Sequence, residues 1–145
     1  MSTITIKSDE RDVIVGELCR WTNEGDPVPF DTREAAAETL AKLTAAFEMR
    51  DVLGWNASEH DSYTVTVTDR LVDLLRVTER DVKEALVYDR NHRQRIVRDE
   101  PGWRWPDVTP EENLAQHDRM IAGEELTARA CADLLARIDE QMVTV

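Results

Sequence analysis

The chain is poor in the residues from which many catalytic and binding motifs are assembled. Its five glycines are scattered over 145 residues, so no Gly-rich phosphate loop can be drawn through them. Neither G-x-S-x-G nor C-x-x-C occurs, which removes the nucleophile elbow and the dithiol motif. The serines (Ser2, Ser8, Ser58 and Ser62) fall at the terminus, at a helix start or in loops, leaving nucleophilic catalysis without a carrier. Two cysteines, Cys19 and Cys131, are too few for a disulfide framework or a zinc motif. Each falls on the apolar face of an expected helix, as a buried free thiol does, and this points to reducing, cytoplasmic surroundings. The three histidines, His60, His92 and His117, lack H-x-x-x-H and E-x-x-H spacing, so neither metal nor cofactor is expected. The start, MSTITIKSDERD, has no apolar core of a secretory signal. No apolar run approaches the ~20 residues that cross a bilayer, so no membrane role is expected. Basic side chains are also in deficit, 18 against 30 acidic, for a net charge of −12. Such a chain repels nucleic acid on average. Solubility alone explains the charge; docking on a basic partner and imitation of DNA are the alternatives.

Periodic hydrophobic patterning is present. With 41% hydrophobic and 33% charged residues, apolar positions recur at helical spacing, and the length suits one domain over 1–145. The fold expected is α+β, mainly α: a helical bundle with two short strands, each leading into a helix. TITIK (3–7) and YTVTV (63–67) alternate and are β-branched, as strands are. They can pair with each other or with a second copy. Helices are expected over about 9–23, 32–53, 69–97 and 110–142. Ser8 caps the first, whose stripe is Ile14, Leu18 and Trp21. Asp31 to Glu34 forms a capping box for the second, with Leu40, Leu43 and Phe47 on its inner face and Gly54 and Trp55 closing its end. Thr109, Pro110 and Glu112 start the last helix. Its stripe is Ile121, Ala128, Cys131, Leu135, Ile138 and Met142, and Gly123 is placed to kink it.

Residues 74–86, LLRVTERDVKEAL, pose the main functional question. Leu74, Leu75, Val77, Thr78, Val82 and Leu86 match the core spacing of helix–turn–helix regulators, with Thr78 opening a recognition helix. Against this, Arg76 stands where the turn favours Gly, a left-handed position that costs an L-residue ~1–2 kcal/mol. Glu79, Asp81 and Glu84 would face phosphates that repel them. Leu71, Leu75, Thr78, Val82 and Leu86 also keep one helical phase through the supposed turn. One uninterrupted helix is therefore expected over 69–97. At about 40 Å it would outrun a small domain, so that part of it projects or packs on another chain.

The end of that helix is unusual. RNHRQRIVR (90–98) holds Arg90, His92, Arg93, Arg95 and Arg98 and no acid, and residues 69–104 carry nine basic against eight acidic groups in an otherwise acidic chain. Trp103, Arg104 and Trp105 follow. Two readings stand: the arginines complement the helix dipole and pair with acidic neighbours, or the arginines, His92 and the two tryptophans form an anion-binding site with stacking rings.

TITIKSDERDV, DVLGW, YTVTVTDRLVDLLR and ARACADLLARI, in that order, resemble a group of uncharacterised small acidic, mainly helical actinobacterial proteins. The likeness covers most of the chain, except for the proline–tryptophan segment at 101–106. It implies no known activity, so no functional residue is carried over. The function expected is a non-enzymatic protein-interaction module (a regulator, inhibitor, adaptor or accessory subunit) with a protein partner or a second copy. The alternatives are a DNA-binding regulator using 69–98, and a small enzyme or ligand carrier with a Trp/Arg/His site.

Overall fold

The computed structural model describes residues 2–23, 32–100, 102 and 107–143. The order is β1 (Thr3–Lys7), α1 (Ser8–Asn23), α2 (Arg33–Leu53), β2 (Ser62–Thr66), α3 (Asp69–Val97) and α4 (Pro110–Val143). This is the α+β, mainly helical architecture read from the sequence. The expected loop at 25–31 lies outside the described residues.

The strands pair antiparallel with each other, Ile4 opposite Val65 and Ile6 opposite Tyr63. Alternation puts Ile4 and Ile6 into the core and leaves Thr3 and Thr5 outside. The ladder runs straight into α1, because Ser8 N–H donates to Asp61 O at 2.9 Å. Ser8 is therefore already the first helical residue rather than the cap. Glu10 Oε1 accepts from Lys7 N–H at 3.1 Å and supplies the carboxylate half of a capping box. For α2 the cap is Thr32, whose hydroxyl accepts from Ala35 N–H at 3.0 Å. The expected cap, Asp31, lies outside the described residues. Thr68 and Thr109 cap α3 and α4 as the sequence indicates, accepting from Leu71 N–H at 3.0 Å and Glu112 N–H at 3.2 Å. Asp99, at φ 57°, closes α3, with Glu100 N–H donating to Arg95 O at 3.1 Å.

The core gathers Ile4, Ile6, Ile14, Leu18, Met49, Leu71, Leu74, Leu75, Cys131, Leu134 and Ile138. Both cysteines are free: Cys131 is buried, its thiol pushed up to about 12 chiefly by that burial, whereas Cys19 is half-buried. Two stripes differ from expectation. On α2, Leu40 is 65% exposed and Phe47 43%, and the inward residues are Ala46, Met49, Arg50 and Leu53. This alanine-rich helix interleaves its apolar residues with charged ones such as Glu38, Lys42 and Glu48, so it has no clear hydrophobic phase to read. On α4, Met142 is exposed and Leu135 half-buried, Leu134 taking the core position. Gly123 does not divide α4, which is continuous through it. Its bare Cα faces Glu17, whose Oε2 would lie 3.5 Å from an added Cβ.

Helix α3 does not project. The 34-residue α4 runs antiparallel along its length, with Arg90 at Glu125 and Arg93 at Asp118, and Ile96 is still buried near the far end. Among the described residues, no helix is long and apolar enough to cross a membrane.

Candidate functional site

Residues 69–97 form one helix, with Thr78 buried inside it. The turn that a helix–turn–helix needs at 76–78 is not formed, and Val82 and Leu86 are buried on α3 rather than anchoring a separate recognition helix. The physical reason is the one in the sequence: the apolar phase never breaks, and Arg76 favours right-handed geometry.

The arginine segment divides. Arg90 Nη2 donates to Glu125 at 2.8 Å, and Arg93 Nε donates to Asp118 at 2.5 Å. The Arg93 hydrogen bond, more than its charge, holds the Asp118 carboxyl below the usual carboxylate range. These two arginines therefore lace α3 to α4. Arg95 and Arg98 lie exposed in the last turn and at the C-cap of α3, where the helix dipole favours them. Trp103, Arg104 and Trp105 lie outside the described residues. Arg90→Ala and Arg93→Ala are expected to leave the chemical-denaturation midpoint nearly unchanged, with added salt closing what gap remains. A large loss would assign these exposed pairs a structural weight that solvent-screened ions do not carry.

His92 does meet another functional candidate. Its Nδ1 lies 3.3 Å from Nε2 of His117, and the rings stand edge to face with centroids 4.5 Å apart. His117 Nδ1–H donates to Asn113 O at 2.9 Å. In the neutral tautomer this leaves Nε2 as an acceptor, so His92 Nδ1–H is the donor between the rings.

The helices that carry the histidine pair also carry buried charge, which sequence reasoning did not read as buried. Glu17 from α1, Asp89 from α3 and Glu124 from α4 are all buried, Glu124 completely. Arg20 pairs with Glu17 and places Nη2 3.7 Å from Glu124 Oε2. Neither oxygen of Glu124 receives a hydrogen bond. Burial first, then the Asp89 carboxyl and the charge of Glu17, push the Glu124 carboxyl up to about 9 against the opposing pull of Arg20. A carboxyl in hydrogen-bonding reach of another carboxylate with no donor between them holds a proton there. Burial and the neighbouring carboxylates thus favour the neutral form of Glu124. Asn113, one turn before His117, is also fully buried, with neither amide atom partnered among the described residues. The signal in the sequence was polar residues on the apolar phase: Asn113, His117, Glu124 and Thr127 continue the stripe that becomes Cys131, Leu134 and Ile138. The bundle is apolar at the sheet end and polar at the other. Among the described residues, no three His, Cys, Asp or Glu side chains converge to hold a metal ion as they stand.

The outer surface of α2 is the other feature. None of its residues before Ala46 is buried. Ala37, Leu40, Ala41 and Thr44 line a groove of about 540 Å³ whose other wall is Val77 with Arg70 and Arg80 on α3. Beyond the groove, exposed Phe47 lies 5.8 Å from Trp55. Trp55 folds back as expected: its indole N–H donates to Asp51 at 2.6 Å and its ring sits 3.9 Å under the Arg50 guanidinium. No protein family, curated protein or solved structure matches this chain.

Proposed function

We propose that the protein is a non-enzymatic interaction module that seats an amphipathic helix of a protein partner in the groove between α2 and α3. The observation that carries this is the exposed apolar stripe of α2. Leu40, 65% exposed, stands among the small residues Ala37, Ala41 and Thr44 that line the groove, with exposed Phe47 beyond them. Helix-in-groove recognition uses such a surface, with apolar anchors at i, i+3, i+4 and i+7.

Local charge selects the occupant. In a chain with 30 acidic and 18 basic groups, Lys42, Arg70, Arg80 and Glu38 border the groove. Lys42 pairs with Glu84, Arg70 with Glu48 and Arg80 with Asp81, but these are weak surface pairs, and Arg70 and Arg80 stay more than half exposed to a partner. A partner helix with an acidic rim beside its apolar seam fits that border. The length of α3, which at the sequence level argued for a partner, no longer does, because α4 covers it.

A photo-crosslinking side chain at position 40, and another at Val97 as a control, tests the proposal in the native cell. The expected adduct at position 40 maps to an acidic amphipathic segment of a different protein, is absent at Val97, and is lost with Phe47→Glu or Ala41→Glu while the unfolding midpoint holds. An adduct to a second copy of this chain, or none, overturns it.

A further inference from the structure

A further buried carboxylate of α3 stands apart from the Glu124 layer. Asp81, 5% exposed, lines a cavity of about 380 Å³ between α1, α2 and α3. Trp21 and Tyr88 contribute aromatic wall, Leu43 an aliphatic one, and Lys42 and Glu84 complete the lining. The volume is that of a small-ligand pocket. Lys42 Nζ lies 3.4 Å from Glu84 Oε2, so these two charges answer each other. Asp81 is paired only with its chain neighbour Arg80, whose side chain is 62% exposed. Its Oδ1 receives only long hydrogen bonds, 3.3 Å each, from Nε and Nη2 of neighbouring Arg80, and its Oδ2 is buried and receives none. A buried acceptor without a donor is costly unless something fills the position.

We propose that this cavity binds an organic cation: an ammonium or guanidinium head on a short apolar stem. The head supplies a cation on the cavity side of the Asp81 carboxylate, whose one salt bridge, to Arg80, is long and leaves Oδ2 without a donor. The faces of Trp21 and Tyr88 attract a cation and exclude an anion, and Leu43 receives the stem. An inorganic divalent ion does not fit, since it needs about six oxygen ligands and this cavity offers one buried carboxylate among rings and aliphatic groups. The same head group is carried by a free small molecule or by an Arg or Lys side chain. This site is separate from the groove, and its test does not depend on the partner.

The full chain, isotopically labelled, is titrated with butylguanidinium chloride, with its neutral isostere butylurea, and with an end-capped Ala-Arg-Ala peptide, followed by amide and indole chemical shifts and by calorimetry. Butylguanidinium is expected to bind saturably, moving the resonances of Trp21, Asp81 and Tyr88, and butylurea to bind at least about tenfold more weakly. Asp81→Asn, nearly isosteric, removes that preference with the circular dichroism unchanged. Tyr88→Ala, at an exposed position, weakens binding without touching the core. Peptide binding of similar strength assigns the head group to a partner's side chain, and peptide exclusion assigns it to a free molecule; either upholds the site. No saturable shift with butylguanidinium, equal binding of butylurea, or binding indifferent to Asp81→Asn overturns it.

Discussion

Glu124→Gln is expected to stabilise the protein, and to do so more as pH rises. The carboxyl is completely buried, receives no hydrogen bond among the described residues and is pushed from its ordinary 4.5 up to about 9, chiefly by that burial. A folded pKa above the unfolded one means that folding takes up a proton. The favourable linkage is complete below pH 4.5 and is lost as pH climbs through about 9. Glutamine keeps the shape of the protonated acid and needs no proton. Each unit between the pH and the unfolded pKa is about 1.4 kcal/mol. The variant should therefore exceed the native chain by ~3–4 kcal/mol near pH 7, by more above it, and converge with it near pH 4.5. Paired denaturation curves over that range isolate this group from every other titration in the chain. A pH-independent difference, or a loss of stability at every pH, would mean that Glu124 is ionised in the native state and held by Arg20.

Arg11→Ala should be among the most damaging single substitutions. Arg11 is buried at the junction of α1 with the end of α2. Its Nε donates to Leu53 O at 2.5 Å and its Nη2 to Asn56 O at 2.8 Å, and its guanidinium lies 4.9 Å from the Tyr63 ring centroid. Leu53 O is one of the carbonyls that the end of α2 leaves open, so one planar side chain closes a helix terminus and holds the turn before β2. Gly54 fits this arrangement. At φ 98°, an added Cβ there would come within 2.5 Å of Arg11 Nη2, so backbone and side chain both require glycine. Alanine at position 11 strands two carbonyls and opens a cavity, a loss of ~3 kcal/mol. Lysine, lacking the planar fork, recovers less than half. Asp12 contributes little to this junction: Ser58, ahead of Arg11, holds its exposed carboxyl below the usual range. A change below ~1 kcal/mol for Arg11→Ala would show that the turn is held by the strand ladder alone.

The bounds of the elements were largely legible because caps and periodicity agreed. The expected helix over 69–97 is α3 as found, and the strands and other helices fall within a residue or so of their sequence reading. Legibility failed where the pattern lost phase or changed chemistry. Alanine on every side of α2 hid which face was inward, so Leu40 and Phe47, read as core, are surface. A stripe that turns from Cys131 and Leu134 to Glu124, His117 and Asn113 reads as ending when it has only become polar, so the buried layer was missed although each residue keeps the spacing. The arginines, by contrast, advertised themselves by local excess, yet Arg90 and Arg93 serve to tie two helices. Asp81 gave no signal among the charges of 79–84, because burial of one acid among more exposed charges is set by how α3 packs on the rest of the chain.

A groove wall and a DNA-reading helix require opposite things of residues 76–79. Val77 can line the groove beside Leu40 only if α3 runs unbroken past Arg76. Native-state amide hydrogen exchange, resolved by residue, measures this directly. The expected result is protection at Val77, Thr78 and Glu79 equal to that at Leu74, Leu75 and Val82, as one continuous ladder of hydrogen bonds gives. Rapid exchange confined to 76–79 between two protected segments would reveal a turn, and with it a separate second helix available to enter a groove of DNA.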